Sequence, residues 1–213
     1  MKKKPHDKNQ HVFVQSTTTL WKPTKTQLLG AYGKRISDII APNLKILFVG
    51  INPGLYSGAV GHHFARPGNR FWPALHKSGF TQKQLSPFEG RELLKHGYGI
   101  TNVVNKTTAT AAELDQNELK AGGQLLVKKI KRYCPCIVAV LGLNAFRVAF
   151  GQPKAHFGPQ KQRIGSTQLW ILPNPSGLNA RYQLNDLIGF FRKLRIASGL
   201  RVLKCSEDKQ GLL

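Results

Sequence analysis

Two loops of this 213-residue chain hold residues whose types and spacing could do chemistry. The first begins Gly50-Ile51-Asn52-Pro53-Gly54, passes through Ser57 and the run Gly61-His62-His63-Phe64, and closes on Asn69-Arg70-Phe71-Trp72. Its glycines could bring backbone N–H groups close to a phosphate. The Gly-Lys-Ser/Thr end of a P-loop is missing, however, and so is an acidic metal site, which argues against a nucleotide hydrolase. The second loop reads Asn174-Pro175-Ser176-Gly177-Leu178-Asn179-Ala180-Arg181. A leucine placed between glycine and asparagine could enter a base stack as a wedge. Arg181 behind it is better suited to a phosphate than to a base edge, since phosphate contacts are the commoner kind. Neither loop contains an acid, and neither contains a lysine that could form a Schiff base. Asn52 is neutral and has no titratable group, so it cannot act as a general base.

Both loops need a frame. Residues 44–49 form a short apolar run that ends in glycine, as a buried strand does. Residues 99–104, 137–142 and 169–173 read as three more strands. Between them lie helical patterns. Asn69 is placed to cap a helix that Gly79 stops, and 88–96 reads as another. Asp115 and Glu118 make a capping box, with Leu114 and Leu119 as its staple, for a helix to about Tyr133. Gly122 and Gly123 weaken that helix locally and allow close packing. Residues 144–150 suggest a short helix, and Leu184, Leu187, Ile188, Phe191 and Leu194 share one face of a last one. Apolar strands separated by amphipathic helices imply a three-layer α/β/α sandwich around a central, mostly parallel sheet. Ligands of such sheets sit beyond the carboxyl ends of the strands, which is where both loops emerge.

Charge narrows the partners. Lys and Arg number 32 against 10 Asp and Glu, a formal net charge of +22. No acid lies between Asp38 and Glu89, and none between Glu118 and Asp186. Such a chain attracts polyanions through phosphate contacts and counterion release. Residues 1–40, with eight Lys and Arg, read as a flexible basic extension with a short helix near 24–32. The domain then occupies 41–199 and a polar tail 200–213. The amino end has no apolar stretch after its lysines, so it is not a secretory signal. Cys134, Cys136 and Cys205 are too few for a disulfide framework or a metal site, and the first two read as buried thiols. These features suit a reducing compartment, the cytoplasm or nucleoid of a prokaryote or the nucleus of a eukaryote. No metal or other cofactor is expected.

The two loops, with Gly165-Ser166-Thr167 before the fourth strand, closely resemble those of the mismatch-specific uracil/thymine DNA glycosylases within the uracil-DNA glycosylase superfamily. The similarity spans about 44–198. It implies that Asn52 positions the attacking water and that Phe64 stacks on a flipped base. Ile51, Ser57, His63 and Asn102 would complete the base pocket, with Ser57 leaving room on its wall. Gly177, Leu178 and Asn179 would fill the vacated space and contact the orphaned guanine, and Ser176 and Arg181 would meet phosphate. His63 and Asn102 look like residues of the thymine-processing members.

The resemblance implies a monofunctional glycosylase that acts on uracil mispaired with guanine in double-stranded DNA, and the small fold with an end-on site makes a monomer the simplest expectation. Thymine and modified cytosines are further candidate bases. Lacking a carboxylate, such an enzyme should be slow and depend on a good leaving base and a weak pair. Residue by residue, plainer readings stay open. Asn52 before proline could cap a turn, Phe64 could be core, His63 could be a loop donor, and Leu178 an ordinary exposed leucine. The whole-chain alternative is a non-catalytic nucleic-acid-binding protein that keeps the fold.

Overall fold

A computed structural model describes residues 22–199. Helix α1 (Lys25–Leu29) precedes strand β1 (Ile46–Gly50), which is followed by α2 (Leu55–Val60) and α3 (Phe71–Lys77). A 3-10 helix (Pro87–His96) leads to β2 (Tyr98–Asn102). Then come α4 (Gln116–Tyr133), β3 (Ile137–Leu141), α5 (Leu143–Ala149), β4 (Gly158–Ile164), β5 (Thr167–Leu172) and α6 (Leu184–Ser198).

The strands order themselves β2-β1-β3-β5-β4. The first four run parallel and β4 pairs antiparallel with β5. Each inner strand sorts its side chains with a period of two. Ile46 and Phe48, Ile137 and Ala139, and Trp170 and Leu172 enter one core, shared with Phe71 of α3 and Phe191 of α6. Leu47 and Val49, Val138 and Val140, and Leu169 and Ile171 enter the other, against Leu126 and Ile130 of α4 and Phe146 of α5. A strand buried on both faces must be apolar throughout, which is why β1 and β3 read as continuous runs. The fold is the expected α/β sandwich with a mostly parallel sheet.

Helix α4 starts on the expected box: Glu118 N–H donates to Asp115 Oδ1 at 2.7 Å and Asp115 N–H donates to Glu118 Oε2 at 3.1 Å. Its two glycines sit where side chains would collide. A Cβ on Gly122 would stand 2.5 Å from Val103 O, and one on Gly123 would stand 2.1 Å from Ala149 O. The helix therefore lies directly on the chain that leaves β2 and on α5.

Four expectations need correction. Residues 22–40 are not a flexible arm. Ala31 and Ile36 are buried, Ile39 bridges to Ile100, and Thr24 caps α1, so this stretch is part of the domain. Its few apolar residues are spread too thinly to show a period. The rest of the proposed arm and the tail, residues 1–21 and 200–213, lie outside the described residues. Strand β4 was not foreseen because Gln160, Lys161, Gln162 and Arg163 give it no apolar face; charges on an edge strand discourage pairing with other chains. The first loop contains a helix, α2. Cys134 and Cys136 are half-buried rather than buried, and no disulfide joins them. Among the described residues no helix is long and apolar enough to cross a membrane.

Candidate active site

A cleft of about 110 Å³ opens at the carboxyl ends of the parallel strands. Gly50 of β1, Asn102 of β2, Leu141 of β3 and Asn174 beyond β5 all line it. That is well below the roughly 300–1,000 Å³ of pockets for drug-sized ligands, and it suits a single ring.

Asn52 stands on the wall with its amide fixed. Its Nδ2 donates to Thr108 Oγ1 at 2.6 Å, Lys106 O at 3.0 Å and Pro53 O at 3.2 Å. Thr108 gives its own hydroxyl hydrogen to Thr110 O at 2.7 Å, so its oxygen is left to accept. The arrangement assigns the nitrogen to the protein side and leaves Oδ1 as the open acceptor, since it has no partner among the described residues. Gly54 and Thr108 also form a β-bridge that ties the first loop to the 105–110 segment.

Phe64 has a φ of 54°, in the left-handed region, where a bulky side chain costs about 1–3 kcal/mol. Three contacts hold it there. Ala65 N–H donates to Ser57 Oγ at 3.0 Å, Trp72 Nε1–H donates to His63 O at 3.3 Å, and the Phe64 ring stacks on Phe71 with centroids 4.2 Å apart. Phe71 thus backs the aromatic wall from the core, and Phe64 itself lines the cleft.

His63 and Asn102 are both buried. His63 Nε2 lies 3.1 Å from Ser37 O, and its Nδ1 lies 3.4 Å from Asn102 Nδ2. A carbonyl can only accept, so the hydrogen of the neutral ring sits on Nε2. Burial pushes the imidazole below its ordinary range, and the Ser37 carbonyl and Asp38 only partly oppose this. The neutral form therefore prevails at pH 7. Gly50 makes room for Asn102, its register partner across β1 and β2: a Cβ there would stand 2.5 Å from Asn102 Oδ1 and 3.3 Å from Phe64 Cζ.

The second loop is tied to the first by Arg70. Its Nη1 donates to Tyr182 O at 2.7 Å and to Gln183 Oε1 at 3.3 Å. Its Nη2 donates to Asn179 O at 2.7 Å and to Ser176 O. The backbone adds Arg70 N–H to Pro175 O at 2.9 Å. Gly177 presses on Gly68, where a Cβ would meet the carbonyl oxygen at 2.7 Å. Held this way, Leu178 is 61% exposed on the rim of the cleft.

Of the residues singled out from sequence, Ile51, Asn52, Ser57, His63, Phe64, Asn102, Ser176 and Leu178 line this cleft together. Gly177, Asn179 and Arg181 do not. Asn179 spends its side chain on the loop, with Nδ2 donating to Asn174 O at 3.0 Å and Oδ1 accepting from Arg181 N–H at 3.2 Å. Arg181 lies over the Tyr182 ring in a separate depression with Asn185 and Lys193. Sequence reasoning missed Ile36, Arg66, Thr108, Thr110 and Asn174 as lining residues, and the clamping role of Arg70. Arg70 stood inside a quoted motif, but bonds to carbonyls leave no trace in residue types.

Among the described residues no carboxylate lines the cleft. The seven acids among the described residues cap helices or pair with lysines. Glu113, Asp115 and Asp186 serve backbone N–H groups, while Asp38 and Glu92 pair with Lys129 and Lys95. Glu89 and Glu118 do both. The only lysine of the neighbouring 105–110 loop, Lys106, has its amine 2.7 Å from Glu118.

Fold and cleft together define a class: α/β sandwich proteins with a ring-sized, carboxylate-free cleft at the carboxyl edge of a parallel sheet. A sequence profile of the Uracil DNA glycosylase superfamily matches residues 37–195. The chain belongs to that superfamily. Membership points to a DNA glycosylase, a hydrolase of N-glycosyl bonds that acts on uracil in DNA and serves DNA repair. Among solved structures, the chain is similar to the solution NMR structure of a candidate uracil DNA glycosylase from Methanosarcina acetivorans. The TM-score is 0.52 at 19% identity, over 76% of this chain and 98% of that one. At that identity the likeness concerns the fold.

Proposed function

We propose that the protein is a monofunctional, mismatch-specific glycosylase that hydrolyses the N-glycosidic bond of uracil, and of thymine, opposite guanine in double-stranded DNA. The observation that carries this reading is the fixed amide of Asn52, whose Oδ1 is the open acceptor in a cleft that an aromatic ring walls and an exposed leucine rims.

The chemistry follows from those groups. Leu178 enters the stack as the target nucleotide leaves it, and the base slides against Phe64. The C1′–N1 bond breaks with its electron pair going to the base, which departs as an anion. Positive charge builds on the sugar. A water held by Asn52 Oδ1 adds to C1′ and releases its proton to solvent. Asn52 supplies orientation rather than basicity. With no carboxylate in the cleft, nothing sharpens the nucleophile, so turnover is slow and selectivity leans on how easily the pair opens. Asn102 meets the Watson–Crick edge of the base, Ser57 and Ile51 bound the pocket, and the protein acts as a monomer. Ser176 and Arg181 contact phosphate, with Gly177 and Asn179 shaping the turn that faces the orphaned guanine.

The test is release of uracil from a G·U duplex, read as abasic sites. Wild-type protein should release uracil and Asn52→Ala should not. Equal release by both, or none by wild type, defeats the reading. Borohydride trapping on the same duplex should give no covalent complex, because water and not an enzyme amine attacks.

A further inference from the structure

His63 lines the cleft, but its ring nitrogens are committed within the protein. Its two ring nitrogens are both used, one on Ser37 O and one on the Asn102 amide. The Ser37 carbonyl requires a hydrogen on Nε2 in every charge state. In the neutral ring Nδ1 is then a lone pair, and only the Asn102 amide nitrogen can serve it. That choice turns Asn102 Oδ1 the other way, over Gly50 and beside the Phe64 ring edge. Both of those residues line the cleft, and Oδ1 has no partner among the described residues. The cleft floor therefore presents an acceptor.

We infer that His63 is a specificity-determining positioning residue: its neutral Nε2–H form holds Asn102 with the acceptor toward the base, and its protonation turns that amide round. This rests on the glycosylase reading above. Uracil and thymine carry a hydrogen on N3 and match an acceptor. 3,N4-Ethenocytosine has no N3 hydrogen and does not. When a proton is added at Nδ1, the ring has two N–H groups and Nδ1 needs an acceptor. Asn102 Oδ1 is within reach after a half-turn of the amide. The floor then presents Nδ2, a donor set against the donor of uracil.

The groups around the ring set where this happens. Asp38, on the segment before β1, favours the charged ring; Lys129 of α4 and His62 of the same loop oppose it. Lys83, Glu89, Arg91 and Glu92 line the cavity on the far side of His63. Burial outweighs all of them and keeps the neutral form dominant at pH 7. The inversion belongs to acidic conditions.

The experiment measures single-turnover release of uracil and of 3,N4-ethenocytosine, each opposite guanine, from pH 8 down through the pH at which 15N spectra show His63 to titrate. The uracil-to-ethenocytosine rate ratio should fall about tenfold on the acid side, the scale of one matched hydrogen bond against an unmatched one. His63→Gln, whose amide can bridge Ser37 O and Asn102 without titrating, should keep the neutral ratio at every pH. His63→Ala, which cannot orient Asn102, should give a low ratio at every pH. A ratio that stays flat in wild type, or that still shifts in His63→Gln, overturns the inference. A second readout needs no activity: 15N-labelled histidine should show Nδ1 unprotonated at pH 7, with the Asn102 amide signals moving as His63 titrates. Protonated Nδ1 at pH 7, or unmoved Asn102 signals, also overturns it. Absence of base release would sink the glycosylase reading alone, and the spectra would still decide whether His63 turns Asn102.

Discussion

Arg70→Met tests how the loop that carries Leu178 is held. The substitution keeps a long stem and removes the guanidinium that reaches Tyr182 O, Gln183 Oε1, Asn179 O and Ser176 O. A hydrogen bond to a charged group contributes ~1.5–3 kcal/mol net. The four bonds do not add, because they share one side chain and the freed carbonyls can turn toward water. A loss of ~2–3 kcal/mol in loop closure follows, or about thirtyfold to about 150-fold in the population of the closed loop. Asn52, Phe64 and Asn102 are not on that loop, and the backbone bond from Arg70 to Pro175 stays. The defect should therefore appear in base extrusion and not in bond cleavage. Single-turnover uracil release from a G·U duplex should drop by about that factor. Release from single-stranded DNA, where no stack needs filling, should stay within about threefold. Leu178→Ala should show the same split. Equal losses on both substrates would mean that Arg70 supports the cleft itself, and no loss on duplex would mean that the loop needs no clamp.

Further outcomes follow from the same geometry. Asn52→Ala should slow release at least about 100-fold, the scale of one lost oriented group in an active site, with a fall in Tm too small to unfold the protein at the assay temperature. Thr108→Val removes the nearest acceptor of the Asn52 amide but leaves two others, so single-turnover release should fall only about fivefold, equivalent to ~1 kcal/mol. Gly50→Ala puts a methyl 2.5 Å from Asn102 Oδ1 and should destabilise the fold by ~1–3 kcal/mol, measured by urea melts. His63 binds a proton less readily folded than unfolded, so its contribution is complete above about pH 6.5 and is lost as pH falls from there through its lower folded value. Stability profiles of wild type and His63→Gln should diverge in that acid window and run parallel above it.

Much of this architecture is legible in residue types, because burial on both faces forces β1 and β3 to be apolar and a capping box announces α4. Of residues 22–40 only the short helix near 24–32 was legible, where α1 lies, and not that the stretch belongs to the domain. Their contribution comes through isolated positions such as Ile36 and through backbone bonds such as Ile39 N–H to Ile100 O at 2.9 Å. Strand β4 hid for a related reason, since an edge strand can be polar and still be paired. In the site, Leu178 was visible from the glycine and asparagine beside it, and Asn52 from the likeness of its whole loop to the glycosylase family. The orientation of the Asn52 amide was not, because it depends on Thr108 from a loop 56 residues away. Asn179 was expected to face the orphaned guanine, yet its side chain is used within its own turn.

The placement of the acids has a consequence for how DNA would be met and read. All seven that the structure describes are spent on helix ends and lysine partners, and none faces the cleft. Apart from Arg66, no lysine or arginine among the described residues lines the cleft either, while the groups that would judge a base are neutral. Counterions expelled by phosphate contacts act through the lysines and arginines. Raising salt would make encounters rarer by a steep power law and leave the ranking of one base over another almost untouched. On the proposed reading, arrival and choice would rest on largely separate sets of residues, with Arg66 alone at the join.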